Sequence, residues 1–413
     1  MNLSLWFSRR LRGGSTAGRT GTVIAVAGVA LALFVMEITL AVVVGFKHGI
    51  TDKLTGFDAE ITVHAPYTGN GDEQAANIAV TDTLMDIIAA CTGDAEVSLA
   101  IRQPGILKTD NDFQGVVFLA REAGSANFER SMLTAGEWPD FDADSSAMDI
   151  VLPEPLAMRL GVGVGDRIFS TFIIDENVRL RRHTVRGLFK SNFADYDASV
   201  AYVSMKALRG VAGMGASGAA RIDIRGIDDN DIADVAERLQ IALLDAAADG
   251  KVEGLYPVST IEQTGAMYYN WLALLDTNVV VIFILMLAVA AFTLISSLFI
   301  LILEHIPTIG VLRALGASKL LIRRIFVDTG MRLVLYGMIA GNIIGISLIL
   351  LQNHYHFLPL DPEMYYLSWV PMEFRPLGVL SLNAGVAAVA WLILAVPART
   401  AAAVDPASAI KYE

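Results

Sequence analysis

The sequence predicts an α-helical membrane protein with four transmembrane helices and a large α+β extracytoplasmic domain between the first and the second. Three observations predict it. Four apolar stretches reach the ~20 residues needed to cross the hydrocarbon. The short segments joining them on one side are basic, and a single long acidic segment rich in strand-like alternation separates the first stretch from the other three. A chain of 413 residues that is 54 % hydrophobic and 18 % charged, with mean hydropathy +0.52, is too apolar for a soluble protein and too polar to be spans alone.

Residues 1–20 carry Arg9, Arg10, Arg12 and Arg19, with Leu3, Leu5, Trp6 and Phe7 beside them, the pattern of a cytoplasmic helix lying at the headgroup layer. The first span, 21–45, is a retained helix and not a signal peptide. Its apolar run exceeds an h-region, and Gly45-Phe46-Lys47-His48 is a poor cleavage site. The other spans fall at 274–303, 325–351 and 377–396. The 304–324 segment between spans two and three carries Arg313, Lys319, Arg323 and Arg324, which makes it cytoplasmic. The 352–376 segment is then a second outer loop, and the 397–413 tail returns to the cytoplasm. This topology places the large domain outside the cytoplasm, in the periplasm or the exterior.

Residues 46–274 hold 34 acidic and 19 basic side chains, a balance of −15 within a whole-chain charge of −12, which argues against a nucleic-acid partner. Strand-like runs occupy 59–64, 106–109, 116–120, 167–174, 183–189 and 200–203, and helical spacing marks 82–90 and 232–247. Most of the acids read as a solvated face. Cys91, the single cysteine, reads as a buried apolar thiol and excludes an intrachain disulfide. Gly161 to Asp166 (GVGVGD) fits a tight turn.

Catalytic chemistry finds no pattern. No serine nucleophile, carboxylate pair, HExxH or metal cluster stands out, and His354 and His356 are spaced so that a helix would not give them a common face. GVLRALGASK from Gly310 has the wrong glycine interval for a phosphate-binding loop, so any ATP and Mg are held by another chain and this one carries no cofactor of its own. Polar groups in the spans are too few to line a solute path. Glu37 is an intramembrane acid, and such a group is a functional candidate, although an interfacial, snorkelling carboxylate fits the sequence as well. Gly337, Gly341 and Gly345 give span three a smooth face for helix packing. Ile309, Leu312, Leu315 and Leu320 are spaced to form one apolar face of a short cytoplasmic helix. Val42, Val43, Phe46 and Trp271, at the outer mouth of spans one and two, are candidates for lipid or cargo contact beside a plain packing role.

The run LMLAVAAFTLISSLFILILEHIPTIGVLRALGAS from Leu285, the following IRRIF and the ending PARTAAAVDPASAIKYE resemble the C-terminal half of FtsX-like ABC permeases. Within them the chain is most similar to the lipoprotein-releasing permeases LolC and LolE. The shared features are an A-F-x-x-I-S-S-L run at Ala291 to Leu298, Gly45-Phe46 with Leu54-Thr55-Gly56 after it, and a V-x-G-x-F strand at Val185 to Phe189. The resemblance implies a non-catalytic permease subunit, paired with an identical or related second permease and two copies of a cytoplasmic ABC ATPase. It implies further that lipoprotein cargo is passed to a periplasmic carrier by mechanotransmission. The segment 304–318 then resembles the coupling helix, with Ile309, Leu312, Arg313, Leu315 and Gly316 toward the ATPase. Other FtsX- or MacB-like permeases, in peptide or toxin efflux or in activating a cell-wall hydrolase, are the alternative. A membrane-anchored receptor or enzyme whose outer domain acts alone is a further one. The chain departs from the family at Pro307, which starts or kinks the coupling helix, and at Glu37, where the family is apolar. The stretch Thr171 to Arg182 has no proline where one subunit type carries a proline-bearing hook, so carrier capture is not assigned to this chain.

Overall fold

The computed structural model describes residues 16–66, 77–110, 112–122, 127–174, 177–215 and 217–402. The expected headgroup helix at the N-terminus and the last part of the C-terminal tail lie outside the described residues. The chain divides into two units: Met1–Gly49 with Trp271–Pro359 and Trp369–Glu413, and Ile50–Asn270 with Leu360–Ser368.

In chain order the helices longer than four residues are α1 (Thr16–Phe57), α2 (Asp82–Thr92), α3 (Glu154–Leu160), α4 (Ala194–Ser199), α5 (Met205–Ala212), α6 (Ile232–Ala248), α7 (Ala266–Glu304), α8 (Ile306–Ala314), α9 (Lys319–Tyr355) and α10 (Pro376–Ala402). Four of them, α1, α7, α9 and α10, are long and apolar enough to cross a membrane, and each contains one of the apolar windows read from the sequence. The helical turns extend past those windows because charged residues at helix ends are excluded from a hydrocarbon count but not from a helix.

The first unit is built on α1. Its Ala25 and Val29 pack with Leu294, Leu298 and Ile302 of α7, Phe326 and Val334 of α9, and Ala390 and Leu394 of α10. Higher up, Leu33 and Met36 meet Ala290 and Val386. By contrast, the first half of α7 leaves Leu274, Val280, Val281, Ile284 and Leu285 exposed. An apolar surface on a spanning helix is the ordinary state of one that faces lipid or another helix.

The second unit is α+β, in line with the sequence. Its strands are β1 (Ile61–His64), β2 (Glu96–Lys108), β3 (Phe113–Arg121), β4 (Leu133–Gly136), β5 (Asp149–Pro153), β6 (Arg167–Ile174), β7 (Asn177–Phe189), β8 (Val200–Val203), β9 (Arg221–Arg225) and β10 (Val258–Thr260). They form one sheet in the order β10-β1-β9-β2-β3-β8-β5-β7-β4, and β6 pairs with both β2 and β7, closing β2, β3, β8, β5, β7 and β6 into a ring. Phe118, Phe172 and His183 are buried together there, with Phe118 and Phe172 ring centroids 4.7 Å apart. Gly105 makes this possible, since a Cβ at that position would lie 2.9 Å from both phenylalanine rings. Beside the sheet, α6 buries Ile232, Val235, Ala236, Leu239, Leu243 and Ala246, the helical spacing seen in the sequence, and packs with α2. The GVGVGD segment is a turn: Gly161 caps α3 with φ 67°, Gly165 has φ 96°, and the Asp166 carboxylate accepts from the Gly163 N–H.

One sequence expectation needs correction here. Cys91 is half-buried, not enclosed, because it lies near the end of α2 beyond the buried Leu84 and Ile88. Glu129, Asp149, Asp197 and Asp223 are the buried exceptions among the acids of the outer domain's described residues.

Candidate functional site

Three regions carry side chains whose placement bears on function. The first is the seam between α1 and α9. A Cβ at Gly337 would lie 2.7 Å from the Val29 Cβ, one at Gly341 would lie 2.8 Å from the Ala30 carbonyl oxygen, and one at Gly345 would collide with the Glu37 carboxylate. All three glycines are buried against α1, so the backbones approach as only glycine allows. Glu37 itself is 1 % exposed, and the snorkelling reading is therefore corrected: the carboxyl points into the bundle, into space left by Gly345.

On the other side of α1, Gly28 lies so close to Thr293 that a Cβ would fall 2.7 Å from its hydroxyl. The Ser297 hydroxyl donates to the Gly21 carbonyl at 2.8 Å. These contacts give the A-F-x-x-I-S-S-L run a physical role in seating α7 on α1. Sequence reasoning passed over Gly21 and Gly28, although their spacing of seven residues on an apolar helix was a usable signal.

At the outer end of the seam, Gly45 makes room for the 371–373 backbone, whose Glu373 N–H donates to the Ala41 carbonyl at 3.0 Å. Phe46 is buried and meets Trp271 edge-on at 5.6 Å. Val42 turns instead toward Ala41, Ile349 and Met372, and Val43 is half-buried. Of the four candidates for lipid or cargo contact, the structure thus brings only Phe46 and Trp271 together.

The second region joins α7 to α9. Pro307 lies in the first turn of α8, where its missing N–H costs nothing, so it starts the helix. Ile309 is buried and Leu312 packs on the same cluster. Leu315 lies past the last helical residue and is 80 % exposed, and Leu320, in the first turn of α9, is 66 % exposed. The single apolar face expected of Ile309, Leu312, Leu315 and Leu320 is therefore split. Gly316, with φ 91°, ends the segment in a conformation other residues resist, and Ser318 then caps α9 by accepting from the Leu321 N–H. The outward residues include Pro307, Thr308, Val311, Ala314 and Leu315, with Arg313 half-buried.

The third region lies wholly in the outer unit, around the C-terminal end of α1. Helix C-termini leave carbonyls unsatisfied, and here two arginines from the sheet take them. Arg225 of β9 donates to the Thr55 carbonyl at 2.7 Å and Arg121 of β3 to that of Phe57. Arg121 is also paired with Glu129 at 2.5 Å and lies 3.8 Å from Asp223. Arg221 bridges Asp58 at 2.7 Å and Asp223 at 2.8 Å. The Tyr202 hydroxyl donates to Glu129 and is bonded to Tyr196 at 2.9 Å. Burial pushes the Tyr196 hydroxyl up to about 12, so it stays protonated.

The Phe57 ring is stacked on Tyr196 at 4.2 Å and meets Phe128 edge-on at 5.1 Å, with Gly56 leaving room for the Phe128 ring. The segment from Ser191 to Asp197 collects the remaining contacts. Lys53 donates to the Ser191 and Tyr366 carbonyls, Phe193 stacks on Tyr366 at 4.5 Å, and the Tyr268 hydroxyl donates to Asp195 at 2.9 Å. Residues from α1, from the start of α7 and from the loop between α9 and α10 thus converge on one turn of the outer domain. Nothing in the sequence marked this turn as a site.

Among the described residues no three histidine, cysteine, aspartate or glutamate side chains are grouped to hold a metal ion.

Comparison with known proteins matches residues 280–406 to the FtsX-like permease C-terminal family and residues 22–242 to the MacB-like periplasmic core domain. The chain belongs to the FtsX-like permeases with a MacB-like periplasmic core domain. Similar relatives include the "Lipoprotein-releasing system transmembrane protein LolC" of Xylella fastidiosa (strain 9a5c), 28 % identical over 410 residues and covering 94 % of this chain and 92 % of that protein. The protein of the same name from Neisseria meningitidis serogroup B is 25 % identical over 415 residues, covering 95 % and 94 %. Among solved structures, the periplasmic region of MacB from Actinobacillus actinomycetemcomitans aligns with 52 % of this chain and 96 % of its own at 15 % identity and a TM-score of 0.34. In this FtsX-like permease, the α9 side of the seam and the segment from Ile306 to Ser318 fall within the FtsX-like match, and the α1 side of the seam and the turn from Ser191 to Asp197 fall within the residues matched to the MacB-like core domain.

Proposed function

We propose that this chain is the permease subunit of an ABC transporter that extracts lipoproteins from the bacterial inner membrane and passes them toward the outer membrane. The observation that supports this reading is the likeness to two proteins named LolC across 94 % and 95 % of the chain, membrane and outer parts together. The interior of the bundle supports it as well. A conduit for polar solutes needs several polar groups along one path, whereas across the four apolar spans the charged side chains are Glu37, Asp276 near the outer end of its span, and Asp328 and Arg332 in the first third of the third span. Work on a lipid-anchored cargo needs movement of the outer domain, not a wet pore.

In this reading a separate ATPase binds ATP and Mg, two copies of it serving a permease pair, and its closure pushes on the α8 segment. That segment is anchored inward by Ile309 and Leu312 and offers Val311, Arg313 and Leu315 outward. In this reading the movement is passed on to the outer domain, which works on the cargo. A periplasmic carrier receives the cargo.

Affinity isolation of the tagged chain from native membranes tests the partnership. An ABC ATPase is expected in the isolate, and Leu315→Asp, an exposed position that leaves the fold alone, is expected to reduce its recovery about tenfold, the equivalent of about 1.4 kcal/mol. Absence of any ABC ATPase from the wild-type isolate overturns the proposal.

A further inference from the structure

The Glu37 carboxyl is enclosed by uncharged groups. Helix α9 presents Gly341, Asn342 and Gly345 on this side, α10 presents Asn383, and α7 packs beside Leu33 and Met36 through Phe283, Met286, Leu287 and Ala290. No charged residue occurs on α7 between Asp276 and Glu304, on α9 between Arg332 and His354, or on α10 between Arg375 and Arg399. No cation therefore balances a carboxylate at this depth. A lone buried charge in such a setting costs several kcal/mol.

The donors around Glu37 can be counted. Each asparagine amide carries two N–H donors. Asn342 spends its two on the Met338 carbonyl at 2.7 Å and the Asn383 side-chain oxygen at 2.8 Å. Asn383 spends its two on the Val379 carbonyl at 2.8 Å and the Asn342 side-chain oxygen at 2.9 Å. The bonds to Met338 and Val379 also fix which way both amides point, since a flip would set oxygen against carbonyl oxygen. All four N–H groups are committed, and neither Glu37 oxygen receives a hydrogen bond. Asn383 lies beside it. The side-chain oxygens of the two asparagines each accept one bond and retain a second lone pair.

We propose that Glu37 is an intramembrane proton-binding site: it stands as a neutral carboxylic acid whose O–H donates to the spare lone pair of the asparagine pair and ties α1 to α9 and α10. The proton is a ligand of the packed bundle. It is held where α1 lies on the glycine seam, and it is lost to water if α1 separates and the carboxyl becomes hydrated. The polar group that interrupts an otherwise apolar helix thus acts as a bond between helices and not as part of a path.

Infrared difference spectroscopy of the purified full-length chain in lipid nanodiscs tests this. Subtracting the Glu37→Gln spectrum from the wild type at neutral pH is expected to leave a protonated carboxylic C=O band with no matching carboxylate band. A second variant, Asn383→Leu, keeps the acid and removes its acceptor, and the C=O band is expected to persist and shift to the position of a free carboxylic acid. A carboxylate band in the first difference spectrum overturns the proposal, as does a C=O band that Asn383→Leu leaves in place.

Discussion

Arg121→Ala is expected to destabilise the outer domain by about 3–5 kcal/mol, the cost of stripping the partner from a buried charge. The Arg121 side chain is 2 % exposed, and the carboxylates it faces, Glu129 and Asp223, are both 0 % exposed. Asp223 keeps Arg221, but Glu129 retains only the Tyr202 hydroxyl. The Phe57 carbonyl at the end of α1 loses its donor too. For a domain of this size the loss corresponds to about 10 °C in melting temperature, read by thermal unfolding of the detergent-solubilised chain. Because the penalty comes from the stranded charge, combining Arg121→Met with Glu129→Leu is expected to recover part of it. A single variant that melts with the wild type would show the cluster to be energetically idle.

The second large effect is an acid sensitivity centred on His183. The imidazole is 1 % exposed and bonded through Nε2 to the Ser170 hydroxyl at 2.9 Å. Burial pulls it down to about 4 from an ordinary 6.5, assisted by the Arg181 charge. The folded domain thus holds His183 neutral while the unfolded chain protonates it near 6.5. Between those values the unfolded state binds more protons, so stability rises with pH. The contribution is complete above about 6.5 and is lost as pH falls toward 4, by about 3 kcal/mol at most. Melting curves across this window are expected to be steeper in pH for the wild type than for His183→Gln, which retains a polar partner for Ser170 but does not titrate. Parallel curves would place the acid sensitivity elsewhere.

Much of the fold was legible because the membrane imposes a length. A soluble core seldom needs twenty consecutive apolar residues, and each window lies inside one helix. Strands with clean alternation, such as Arg167–Ile174, were legible for a similar reason. The first half of β2 was not, because Pro104 interrupts a run that then pairs with β3 regardless, Pro104 lying opposite Val117. Strand β9 was missed because Arg221 and Asp223 read as a solvated face, whereas both are buried and satisfy each other.

The candidate sites show the same division. The glycine repeat on α9 is a one-dimensional pattern and was visible. Its counterpart on α1 is a carboxyl whose surroundings come from two other helices, and the contacts around the turn from Ser191 to Asp197 join residues 73 to 313 positions apart. No local signal encodes such convergence. In the α8 segment, spacing alone placed Leu315 and Leu320 on a helical face with Ile309. The chain breaks at Gly316, so the two lie outside that helix.

The central claim, lipoprotein release, is tested most directly by depleting this chain in its native cell and fractionating the envelope. Mature outer-membrane lipoproteins are expected to accumulate in the inner membrane. Normal sorting after depletion would contradict the account and assign this FtsX-like permease to efflux or to the activation of a cell-wall hydrolase.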